Sequence, residues 1–90
     1  MTDEERRCRL VVVGTALKYL TRNLERAAAE MTLARERFRE VGTVGTGASK
    51  AEYRKAKVRW TVACEAVTMA EAYLAAANRM VAELKEEETE

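Results

Sequence analysis

Ninety residues bearing 16 basic and 15 acidic side chains, net charge +1, allow one domain, and a chain this short encloses a large core only by association or cross-linking. With 48% apolar and 34% charged residues it is too apolar for disorder and too charged for a membrane span. Having no histidine, it lacks the usual zinc sites and histidine-based acid/base or nucleophile pairs, so no enzyme, catalytic residue, metal or cofactor is expected.

The chain opens with Thr2 followed three residues later by Glu5, a capping box that marks a helix start. From there an apolar residue occupies every 3-4 step: Leu10, Val13, Leu17, Leu20, Leu24, Ala27, Met31, Ala34, Phe38 and Val41. That spacing is a coiled-coil-like seam and predicts a helix over 2–41. Leu10 to Val13 is too short for a signal-peptide core, no run reaches the ~18 apolar residues of a spanning helix, and a cytoplasmic protein without membrane contact is expected.

Three of the four glycines fall in Gly42-Thr43-Val44-Gly45-Thr46-Gly47, which predicts a single loop over 42–48. Ser49 followed by Glu52 repeats the capping box, and a helix over 49–88 follows. Its seam runs Tyr53, Ala56, Trp60, Ala63, Val67, Ala70, Leu74, Ala77, Val81 and Leu84. Folding at the glycines pairs Phe38 with Tyr53, Met31 with Trp60, Leu24 with Val67, Leu17 with Leu74 and Leu10 with Val81. The expected fold is all-α: two long antiparallel helices forming one hairpin domain over residues 1–90. In that hairpin Cys8 lies far from Cys64, so no intrachain disulfide is expected.

A second 3-4 stripe follows Val62, Ala66, Met69, Tyr73, Ala76 and Met80, and Val11, Val12, Ala16 and Tyr19 widen the apolar face of the first helix. One partner helix cannot cover so broad an arc, and soluble monomers seldom expose one. Self-association into a homodimer, a four-helix bundle, or a higher oligomer is therefore expected, with Val12, Ala16, Tyr19, Val62, Ala66, Met69, Tyr73 and Met80 at the interface.

Charge gathers at the other end. Residues 35 to 59 hold eight basic side chains against three acidic ones, while Glu83, Glu86, Glu87, Glu88 and Glu90 crowd the C-terminus. The glycine loop is not a Walker loop, since Ser49 precedes Lys50 and a helix rather than a strand leads into it. Thr43, Gly45, Thr46, Gly47, Ser49, Lys50, Arg54 and Lys57 still form a candidate anion site, because a helix N-terminus with nearby cations favours negative charge. Against it stands a plain interhelical turn.

Two known outlines bear comparison. Secreted WXG-type helical hairpins are of similar length but carry Trp-x-Gly in the turn, whereas Trp60 lies two turns inside the second helix. Plasmid copy-control proteins of the Rop type share the expected architecture alone, and architecture does not carry function. No family is assigned. The expected function is a non-enzymatic oligomeric binding module whose basic end engages a nucleic acid or nucleotide. The alternative is a protein-interaction device acting through its apolar stripe, such as an adaptor, an assembly subunit or a small inhibitor of the kind phages encode.

Overall fold

A computed structural model describes residues 1–42 and 47–89 of the chain. Two α-helices, α1 (Asp3–Gly42) and α2 (Lys50–Thr89), of 40 residues each, pack antiparallel along their whole length. Forty residues at ~1.5 Å per residue make a rod of about 60 Å, and the molecule measures 65 × 16 × 15 Å. Its radius of gyration is 19.9 Å, against about 12 Å for a compact chain of this length. The all-α hairpin read from the seams is the fold observed. No helix among the described residues is long and apolar enough to cross a membrane.

Both helices start where the capping boxes place them, one residue inside the expected bounds. Thr2 and Ser49 are the N-caps themselves: the Glu5 amide donates to Thr2 Oγ1 and the Glu52 amide to Ser49 Oγ, each at 3.1 Å. Their carbonyls already accept the first helical bonds, from the Arg6 and Tyr53 amides at 3.0 Å. Thr15, Thr21, Thr32, Thr61 and Thr68, residues that disfavour helix interiors, each turn the hydroxyl back to donate to the carbonyl four residues earlier.

All ten seam positions of α1 are buried or half-buried, and on α2 only Tyr53, 40% exposed, is not. The pairing between the seams differs from the one read from the sequence. Phe38 lies 5.2 Å from Tyr53 and also 5.2 Å from Trp60, a heptad further on, so its layer is centred on the buried Ala56 between them. At the other end Val13 clusters with Ala77 and Leu84, again midway between two α2 layers. Both ends are thus offset by about half a heptad, and bulky α1 residues come to face α2 alanines. Extended along the rod, this register sets Met31, Leu24 and Leu17 over Ala63, Ala70 and Ala77, while Ala34, 2% exposed, faces Trp60. Packing side chains into the spaces between those of the facing helix produces this alternation; stacking them head-on does not.

Candidate functional site

The described part of the loop end turns through Gly47, whose φ of +72° is the left-handed conformation that glycine adopts without strain. Thr43, Gly45 and Thr46, three of the candidate anion-site residues, lie outside the described residues. Of the remainder, Ser49 is occupied in capping α2, and Lys50, Arg54 and Lys57 are exposed along one side of its first two turns. The shallow groove at this end is lined by Arg37, Glu40, Val41, Gly47, Ala48 and Glu52. It therefore holds two carboxylates and one guanidinium, and Arg37 is already bridged to Glu40 at 3.2 Å. Lys50, Arg54 and Lys57 do not line it. The structure brings these three cations together with one another but not with a cavity. Among the described residues there is no group of three or more Cys, Asp or Glu side chains placed to hold a metal ion. Cys8 and Cys64 are both free thiols, as their separation along the rod requires.

The apolar stripe is placed differently. In heptad letters with Leu10 and Trp60 at position a, Val62, Met69 and Ala76 occupy c, and Ala66, Tyr73 and Met80 occupy g. Val12 and Tyr19 of α1 likewise take c, and Ala16 takes g. In an antiparallel pair the g positions of both helices flank the seam on the same side, so these residues share one lateral face of the hairpin. A groove at the terminal end shows this directly, being lined by Val12 and Val13 from α1 and by Met80, Glu83 and Leu84 from α2. Packing against α1 leaves the face uncovered: Val62, Met69, Tyr73 and Met80 remain 52–57% exposed, and Val12 and Tyr19 more so. Ala66 is exposed as well, and only Ala16 and Ala76 are half-buried. All eight expected interface residues are thus brought together on one surface.

Sequence reading missed part of this surface. Leu33, 61% exposed, is a c residue of α1 on the same side, separated from Tyr19 by the polar c/g residues Asn23, Arg26 and Glu30. Lys55, Arg59, Glu83 and Glu87 continue the same c/g line of α2 in both directions and are all exposed. Their spacing lies in the sequence, but a charge pattern and an apolar pattern taken separately do not join into one line. Val11 and Val58, also exposed, lie off this face at positions b and f.

Comparison with protein-family models, with curated proteins and with solved structures found no match.

The whole molecule exposes 7092 Å². A compact monomer of this mass exposes ~5,300 Å². Among the described residues, only Val13, Ala34, Val41, Ala56, Ala77 and Leu84 are buried apolar residues. The hairpin is a folded rod whose core is one seam wide, with a second apolar surface left over.

Proposed function

We propose that this protein is a protein-interaction module and that the lateral c/g face is its docking surface. The observation that carries the reading is the exposure of Val12, Tyr19, Val62, Met69, Tyr73 and Met80 together on one side of the rod. Scattered exposed apolar residues are ordinary, but a continuous stripe marks a contact surface. The 3-4 spacing suits an α-helical partner, whose own ridge would lie along the line from Val62 to Met80.

The test is photo-cross-linking in cells with a benzophenone amino acid at Tyr73, on the face, and at Thr61, on the opposite flank. A discrete adduct from Tyr73 and none from Thr61 is the expected result. Equal labelling from both sites, or none from either, would remove the docking face.

A second reading rests on charge. Lys50, Arg54 and Lys57 are exposed on the flank opposite the apolar face, and they form a short cationic row that an anionic polymer could follow. Retention on heparin, lost when all three are changed to Glu, would support nucleic-acid binding alongside the first function. Flow-through of the unaltered protein at low salt would exclude it.

A further inference from the structure

We infer that the partner on the c/g face is a second copy of this chain, lying antiparallel so that α2 packs on α2 and the two loops point in opposite directions. The inference rests on the docking face proposed above and names its occupant. Along that face α2 reads Lys55, Arg59, Val62, Ala66, Met69, Tyr73, Ala76, Met80, Glu83, Glu87, basic at one end, apolar in the middle and acidic at the other. The line is self-complementary about its centre, between Met69 and Tyr73. Reversed and laid on itself, it sets Met69 on Tyr73, Ala66 on Ala76 and Val62 on Met80. The charged ends then meet as Arg59 with Glu83 and Lys55 with Glu87. Every apolar residue finds an apolar one, the alanines meet where two helices must approach closely, and each cation finds a carboxylate.

A twofold axis lying in the contact plane across the rods generates this arrangement, as a self-complementary surface requires. The same operation sets Leu33 of α1 opposite Val12 of the other copy, but also Tyr19 opposite Arg26, Ala16 opposite Glu30 and Arg9 opposite Arg37, so the contact is carried by α2 on α2 with α1 at its margin. With the axis along the rods instead, both loops fall at one end and α2 lies on α1 of the other copy. Ala66 and Met69, the centre of the apolar line, would then rest on Arg26 and Glu30, whereas the antiparallel arrangement keeps that centre apolar on apolar and puts Arg26 and Glu30 opposite α1 of the other copy.

Three measurements test the inference together. Sedimentation at micromolar concentration should show a dimer. Arg59→Glu and Glu83→Arg should each weaken it by about tenfold, because each puts two like-charged contacts into the symmetric interface. The chain carrying both changes should recover to within about threefold of the original affinity, since the pair is restored with its polarity reversed. In a Cys8→Ser, Cys64→Ser background, chains with Val62→Cys mixed with chains with Met80→Cys should form an interchain disulfide on mild oxidation. Neither chain should do so alone, because its own copies of that position lie ~27 Å apart along the rods.

A dimer in which the double swap does not recover, or in which the mixed cysteines fail to join, would overturn the antiparallel arrangement. A monomer at these concentrations would overturn self-pairing outright. If the Tyr73 cross-linker then captured a different protein, the docking face would stand and only its occupant would change; if it captured nothing, both would fall.

Discussion

The ring of Phe38 stacks on Trp60 with centroids 5.2 Å apart and planes inclined by 23°, closing an aromatic layer of the seam near the loop. Tyr53 meets the same Phe38 ring at a centroid distance of 5.2 Å, tilted by 39°. Three of the chain's five aromatic residues therefore form one cluster, and they hold the two helices together where the chain reverses. Replacing Trp60 with Ala is expected to cost about 3 kcal/mol in urea denaturation, from the lost burial and the cavity left against Ala34. A double-mutant cycle with Phe38→Ala should return a coupling of about 1 kcal/mol for the ring pair itself. A Trp60→Ala loss below about 1 kcal/mol would place the indole outside the layer.

How much of this was legible from the sequence depends on the kind of information. The helices were legible because Thr2, Ser49 and an unbroken 3-4 repeat each act locally, and local rules need no knowledge of the partner helix. The layers were not. Pairing Phe38 with Tyr53 and Met31 with Trp60 matches equivalent letters of the repeat, but antiparallel side chains pack into gaps, so Phe38 settles between Tyr53 and Trp60. The alanines at 56, 63, 70 and 77 carried that information, being the small residues that bulky neighbours need opposite them. The loop residues Thr43, Gly45 and Thr46 could be read as an anion site only from composition, and Ser49, read with them, spends its hydroxyl on capping α2.

The two described glycines away from the helix termini should respond to alanine in opposite directions. A Cβ at Gly14 would meet nothing within 4 Å, so Gly14→Ala should stabilise the hairpin by ~1 kcal/mol through helix propensity alone. Gly14 is an e residue, on the flank away from the proposed contact, so the dimer affinity should not change. Gly47 also has open space around it, but its φ of +72° strains any side chain, and Gly47→Ala should destabilise by ~1 kcal/mol. Chemical denaturation of both variants checks the pair. A destabilising Gly14→Ala would show that α1 makes a close approach there to another chain.

Ser49 joins the turn to α2 by a single hydroxyl bond, from the Glu52 amide at 3.1 Å. Ser49→Ala should lower stability by ~1 kcal/mol and Ser49→Asp should restore it, because a carboxylate caps the same amide and favours the positive end of the helix dipole. If Ser49→Asp is as unstable as Ser49→Ala, the cap is not the residue's contribution. The pair also bears on the second functional reading: a carboxylate at the head of the Lys50, Arg54, Lys57 row should weaken heparin retention while leaving the fold intact.

Folding and association are joined if the rod has too little core to stand alone. When folding and pairing are coupled, unfolding releases two chains and the melting temperature rises with protein concentration. A tenfold increase should raise it by about 2–4 °C for a dimer of this total size. Met69→Glu with Tyr73→Glu places four carboxylates at the centre of the twofold contact, where neither a partner charge nor water compensates them. That variant should melt at a lower temperature that no longer depends on concentration, yet keep its helical circular dichroism at low temperature, since neither residue belongs to the seam within the hairpin. Two observations distinguish the outcomes. A concentration-independent wild type would mean that the seam from Leu10 to Val41 against Tyr53 to Leu84 holds the rod without a partner. A variant that loses its helices altogether would mean that Met69 and Tyr73 stabilise the single hairpin, and the exposed face would then owe its apolar character to folding rather than to binding.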